Sequence, residues 1–101
     1  MKYKIEFLPS ASEDLKYIED WYRLNFDIQA AAKVKNAIMQ AIRRLETFPD
    51  SGSQPNDEWI RLQGFRMVIA GRHIVFYRKL EDCILIYHVA DSRTEYWRLF
   101  L

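Results

Sequence analysis

The sequence predicts a single α+β domain: a small antiparallel sheet, a helical hairpin packed on one of its faces, and a short C-terminal helix or turn. Three observations predict it. The chain has 101 residues, half of them hydrophobic and 29% charged, with three glycines and three prolines. That is the composition of one compact unit rather than of a disordered or fibrous chain, and it is too short for two. The hydrophobic period then runs from two, to helical, and back to two along the chain. Pro9, Pro49 and Gly71 fall where one element should give way to the next.

Each element has a local reason. Lys2–Leu8 alternates (Lys2, Lys4, Glu6 against Tyr3, Ile5, Phe7) and reads as a strand that Pro9 stops. Ser10 and Glu13 have the spacing of a capping box, which satisfies orphaned N–H groups at a helix start. Ala11, Leu15, Ile18 and Tyr22 follow at helical spacing, widened by Tyr17 and Trp21, to an end near Asn25–Phe26. Asp27 is a good N-cap for a second helix. Ala31, Val34, Ile38, Ala41, Ile42 and Leu45 keep one apolar face through Thr47, and Pro49 is its stop.

Pro49–Asp57 is a loop by composition. Three strands should follow: one within Arg61–Ala70 after Gly64, then Arg72–Lys79 beyond a tight turn at Gly71, then Cys83–Ala90. Ser92 and Glu95 suggest a second capping box, opening the C-terminal helix or turn. Short turns make the three strands an antiparallel meander. The apolar stripe of the hairpin is best buried on one face of that sheet. Alternation divides the middle strand into Arg72, Ile74, Phe76, Arg78 and His73, Val75, Tyr77, Lys79. It divides the last strand into Cys83, Leu85, Tyr87, Val89 and Ile84, Ile86, His88, Ala90.

Several function classes are disfavoured. One cysteine, Cys83, makes no internal disulfide, and in an apolar strand it reads as buried and inert. His73 and His88 lie on different strands without an HExxH motif, a poor metal-ligand set. There is no glycine-rich phosphate loop and no GxSxG elbow. No apolar run approaches the roughly 18 residues of a membrane span, and the alternating N-terminus is unlike a signal peptide. A cytoplasmic location is the expectation.

Charge is divided unevenly. Residues 1–58 hold eight basic and ten acidic side chains, residues 59–101 seven and four. Arg61, Arg66, Arg72, Arg78 and Lys79 follow one another with no intervening acid. Such a segment suits phosphate or an acidic partner, or else a solvated face that balances acidic helices. The isoelectric point near 7.9 is lower than the value above about 9 usual for a dedicated nucleic-acid binder.

The residues left for chemistry are Arg66, Arg72, Arg93 and Arg98 with Tyr77, Tyr96 and Trp97. Arginine donates bidentately to phosphate, and aromatics stack on unpaired bases. With a base to take the 2′-OH proton and an acid for the leaving 5′ oxygen, such a set cleaves RNA without metal. The same residues serve equally as core, interface and ion-pair partners.

The order of elements, together with Gly71–Arg78 (GRHIVFYR), Arg93–Phe100 (RTEYWRLF) and Leu45–Gly52 (LETFPDSG), resembles the RelE/ParE superfamily of type II toxin–antitoxin toxins, of the plasmid-stabilisation type. The resemblance covers nearly the whole chain. It implies a growth-inhibiting toxin, without a cofactor, neutralised by a cognate antitoxin that lays an extended or helical segment over it. Apolar surface at Trp21, Trp59 or Trp97 would suit that partner. It also implies operator DNA bound through the antitoxin.

The superfamily divides by mechanism. One branch poisons DNA gyrase without being an enzyme; the other cuts mRNA on the ribosome. Ribonuclease members tend to carry Tyr-Arg-apolar-apolar-Tyr in the third strand. Anchored on Tyr77, this chain has His73 and Ile74 at the first two places, with Arg72 beside them. The frequent Arg-Arg-Asp-Tyr near the end is Arg93-Thr94-Glu95-Tyr96 here. The resemblance therefore favours gyrase, with Arg66, Arg72, Arg93, Trp97 and Arg98 as target-binding candidates. The alternative is mRNA cleavage by Arg72, Arg93 and Tyr96. A further one is a member that binds antitoxin and no longer poisons anything.

Overall fold

The computed structural model describes residues 2–100, with the side chains of Tyr96 and Trp97 outside that description. Its order is β1 (Lys4–Phe7), α1 (Pro9–Asn25), α2 (Ile28–Arg43), α3 (Glu58–Leu62), β2 (Phe65–Ala70), β3 (His73–Lys79) and β4 (Cys83–Asp91). A 3-10 turn, Arg44–Glu46, extends α2, and another, Tyr96–Phe100, follows β4. This is the expected α+β arrangement with one addition. Glu58–Leu62, at the entry to the first meander strand, is a single helical turn capped by Asp57, whose carboxylate accepts from the Ile60 amide at 3.0 Å.

The strands lie in the order β1-β4-β3-β2. β2, β3 and β4 form the antiparallel meander, and β1 joins β4 in parallel, so the sheet is mixed. The helical hairpin between β1 and the meander supplies the long connection that a parallel neighbour requires. Gly71, at φ +60°, makes the β2–β3 turn in a conformation that side chains resist.

The hairpin packs on one sheet face. Ala11, Ile38, Ile42 and Leu45 meet Val75, Tyr77, Ile84, Ile86 and Val89, all buried. On the other face Ile74, Phe76 and Ala90 are covered by Met67 and Phe100. Phe100 stands edge-on to Phe65 and Phe76, with ring centroids 4.8 and 5.2 Å away. The 3-10 turn thus plugs the outer face with an aromatic ring.

Strict alternation holds in β3 but not in β4. Tyr77 pairs with Ile86 and Phe76 with His88, so Tyr87 is an extra residue in β4. This bulge changes which residues point at the helices: Ile84 and Ile86 before it, Val89 after it. The grouping of Val89 with Leu85, and of Ala90 with Ile86, is corrected accordingly.

β1 is also shorter than β4. Its pairing ends at Ile86, whose carbonyl accepts from the Leu8 amide. Beyond that point α1 supplies the missing partners. Ser10 Oγ donates to the Tyr87 carbonyl at 2.7 Å, and Asp14 Oδ2 accepts from the Val89 amide at 3.0 Å. Buried backbone polar groups need such partners. Ser10 therefore does not cap α1, as its spacing with Glu13 suggested. Pro9 occupies the first helical position, where its lack of an N–H is harmless. Asp27 does cap α2, accepting from the Ala30 amide at 2.7 Å. At the C-terminal turn Asp91, not Ser92, accepts the backbone N–H, from Arg93 at 2.8 Å.

Candidate functional site

Where α1 leaves the sheet, a groove of about 460 Å³ opens between that helix, the β3 and β4 ends, and the C-terminal turn. Its helix wall is Tyr17, Ile18, Trp21 and Tyr22; its floor is His73, Val89 and Ala90; its far wall is Arg93, Thr94, Glu95 and Leu99. The aromatic wall follows from α1 itself, because Tyr17, Ile18, Trp21 and Tyr22 recur at helical spacing beside the buried stripe. Apolar surface predominates, with a few polar groups gathered at one end, the usual make-up of a binding site.

That polar end is ordered by Asp91. Its carboxylate accepts from Arg93 Nε at 3.2 Å and Nη2 at 3.1 Å, besides the Arg93 amide. These hydrogen bonds hold the Asp91 carboxyl down to about 2, against the opposing effect of partial burial. His73 is buried beside it, its ring edge-on to Tyr22 at 6.0 Å. Burial pushes the His73 imidazole below its ordinary value, and the positive Arg72 and Arg93 push the same way, against Asp91. At neutral pH the groove floor thus holds an uncharged imidazole that feels two guanidinium groups and one carboxylate.

Of the residues singled out in the sequence, Arg93 lines this end of the groove, and Arg72 lies next to it, close enough for its charge to act on His73. Arg72 is exposed in the β2–β3 turn, and its carbonyl accepts from the Ser92 amide at 2.7 Å. Arg98 lies on the adjoining turn, paired with Glu95 at 2.8 Å. Arg66 is elsewhere and engaged: its Nη1 donates to the Gly52 carbonyl at 2.9 Å and to Asp50 O at 3.3 Å. Tyr77 is fully buried, its hydroxyl donating to the Pro49 carbonyl at 2.8 Å and accepting from the Gly52 amide at 3.0 Å. Burial raises the Tyr77 phenol above its ordinary value. Arg66 and Tyr77 therefore fasten the loop after α2 to the sheet. The Tyr96 and Trp97 side chains lie outside the described set.

A second constellation was not foreseen. His88 Nδ1 lies 2.9 Å from Asp14 Oδ2, which also accepts the Val89 amide. With that oxygen accepting, Nδ1 is the donor, and the other ring nitrogen, Nε2, has no hydrogen-bond partner among the described residues. The His88 ring meets Phe100 at 5.6 Å. On the same sheet face Arg78 lies over the Phe65 ring, 5.6 Å from its centroid, and reaches Tyr87 Oη at 3.4 Å, without a carboxylate partner among the described residues. The one available signal was Asp14 itself. A carboxylate inside an apolar helical stripe needs a partner, and that partner sits on the sheet.

Cys83 is half-buried, and its thiol is raised by burial and by the neighbouring Glu6. That is the opposite of an activated nucleophile. Among the described residues no group of three or more His, Cys, Asp or Glu side chains could hold a metal ion. No helix among them is long and apolar enough to cross a membrane.

Residues 5–96 match the family model for the ParE toxin of the type II toxin–antitoxin system parDE. Among solved structures, the fold is similar to the chromosomal ParDE toxin–antitoxin system of P. aeruginosa. The TM-score is 0.74 at 18% identity, over 89% of this chain and 96% of that one. It is also similar to the RelBE2 toxin–antitoxin complex of Mycobacterium tuberculosis. There the TM-score is 0.65 at 19% identity, over 90% of this chain and 99% of that one. No curated protein sequence matches the chain. The likeness to the two structures is one of fold.

Proposed function

Because the chain belongs to the ParE family of toxins from type II toxin–antitoxin systems, we propose that it is a growth inhibitor that acts on DNA gyrase by binding, and that a cognate antitoxin neutralises it. One observation carries the choice of target class: among the described side chains of the arginine–aromatic set, only Arg72 and Arg93 stand near one another. Arg66 and Tyr77 are spent on a loop, Arg98 is paired with Glu95, and Arg72 lies next to Arg93, which lines a groove end. The groove itself, apolar along its length and cationic at one end, suits a protein surface better than a scissile phosphate. Arg72 and Arg93 are the target-binding residues in this reading, with Trp97 and Arg98 on the adjoining turn.

The test is pulse labelling just after induction of the toxin, following thymidine and amino-acid incorporation together. Thymidine incorporation should fall first, and overexpressed gyrase should restore growth. A first fall in amino-acid incorporation would refute the gyrase reading.

The Asp14–His88 pair favours a second reading, cleavage of mRNA on the ribosome. An imidazole held through Nδ1 presents Nε2 as a base for a 2′-OH, and Arg78 lies on the same face for the phosphate. Phe100 covers His88, so that face would have to open first. The expected product is a 2′,3′-cyclic phosphate, and RNA that stays intact when the purified toxin is added to translating ribosomes excludes it.

A further inference from the structure

The exposed side of α1 carries two stripes. Tyr17, Trp21 and Leu24 form an apolar one, with exposures of 71, 43 and 78%. Beside it Glu13, Lys16, Asp20 and Arg23 form a charged ridge that alternates in sign. Asp20 and Arg23 pair within the helix at 3.0 Å, while Glu13 and Lys16 make no ion pair among the described residues. An apolar stripe of this size rimmed by charge is the mark of an interaction surface.

We propose that this face binds a second copy of the chain, α1 against α1 in antiparallel orientation about a twofold axis. The charge order selects that occupant. With the axis at the height of Ile18–Glu19, Glu13 comes opposite Arg23 of the second copy, and Lys16 opposite its Asp20. Glu13, the second copy's Arg23 and Asp20, and Lys16 then form a closed alternating ring, repeated by symmetry on the other side. The same axis sets Tyr17 against the second copy's Trp21. A surface that complements itself in both charge and apolar pattern is what a twofold, isologous interface requires. In a parallel pair about a twofold axis the two ridges would lie on opposite sides of the apolar seam and could not meet, so only the antiparallel pair uses their charge order.

The surface lies along the outer edge of the groove wall, so self-association would partly cover Tyr17 and Trp21 while no other protein occupies them. It is independent of whether gyrase or mRNA is the target, because it concerns the chain alone. Sedimentation velocity of the purified protein, from about 1 μM to about 1 mM, the range in which small interfaces associate, is the test. The wild-type chain should pass from monomer to dimer. Glu13→Arg and Leu24→Asp should each weaken the dimer by about tenfold or more, with unchanged circular dichroism because both side chains are exposed. The double variant Glu13→Arg/Arg23→Glu should recover association relative to Glu13→Arg alone. A monomer throughout, a dimer that ignores Glu13→Arg and Leu24→Asp, or a double variant no better than the single one overturns the proposal.

Discussion

The Tyr77 hydroxyl is the point at which the fold can be tested most sharply. It is buried and bonded twice, to the Gly52 amide at 3.0 Å and the Pro49 carbonyl at 2.8 Å. Tyr77→Phe keeps the ring and removes both bonds. The Gly52 amide belongs to a buried residue and makes a buried bond; Pro49 is half-buried, and its bond to the hydroxyl is only partly buried. A stranded buried polar group costs about 1–3 kcal/mol, and the partly buried one lies at the low end. The expected loss is about 2–3 kcal/mol, a large share of the roughly 5–15 kcal/mol that holds a domain folded. At about 4–8 °C per kcal/mol for a domain of this size, the melting temperature should fall by at least about 8 °C.

Gly52 provides the other half of the experiment. A Cβ there would stand 2.5 Å from Tyr77 Oη, 2.7 Å from its Cε1 and 2.9 Å from the Met67 carbonyl oxygen. Gly52→Ala should therefore cost about 1–3 kcal/mol through crowding. In the Tyr77→Phe background one of those three contacts is gone and two remain. The double variant should then be less destabilised than the sum of the singles, by about 1 kcal/mol. Urea denaturation of the four proteins measures this directly. A Tyr77→Phe effect within about 0.5 kcal/mol, the scatter of ordinary surface substitutions, would refute the clamp, and strict additivity would refute the shared contact. Tyr77→Phe that remains folded should also keep its toxicity, since the ring lies outside the groove.

Arg72→Ala and Arg93→Ala should each reduce toxicity in a growth assay; Arg72→Ala should leave the melting temperature within about 3 °C, because its side chain is exposed, whereas Arg93→Ala also gives up the side-chain bonds to Asp91 and should lower it. The Asp91 carboxyl is held down to about 2, below its unfolded range, so its contribution to stability is complete above pH about 4 and is lost as the pH falls toward 2. Asp91→Asn should accordingly lower the urea midpoint at pH 7, and the gap to wild type should close between pH 4 and 2; a gap of constant size contradicts the assignment. His88→Asn places a side-chain N–H where Nδ1–H stands and removes Nε2. It should keep the clamp to Asp14 and the fold, abolish toxicity if the RNA-cleaving reading holds, and leave toxicity intact if gyrase is the target.

The readable parts of this chain are those set by neighbours in sequence. Asp27 caps α2 because the groups it satisfies are three residues away, and Gly71 turns the chain because the strain is its own. Two of the misread parts depend on a distant strand. Ser10 looks like a cap until β1 proves shorter than β4, which leaves Tyr87 and Val89 in need of partners from α1. The same bulge at Tyr87 ends the alternation by which β4 was sorted. Five-residue α3 is too short to show a helical period at all.

The basic segment from Arg61 to Lys79 shows how this bears on function. By composition it resembles a face waiting for phosphate. In the fold Arg61 reaches the Pro55 and Asn56 carbonyls, Arg66 reaches the Asp50 and Gly52 carbonyls, and Lys79 meets the Asp50 carboxylate at 3.2 Å. Arg78 is taken up by Phe65 and Tyr87. Arg66 and Lys79 therefore lace the loop between α2 and α3 onto the sheet while Arg61 ties it to α3, and the two arginines use backbone acceptors that a count of acidic residues cannot register. Arg72 is the one member of the segment left near the groove, beside His73 of its floor, and Arg93 lines the groove from beyond β4. The surface available to a target is thus two arginines beside an aromatic wall rather than a basic sheet, and a partner that binds it must bring apolar area as well as negative charge.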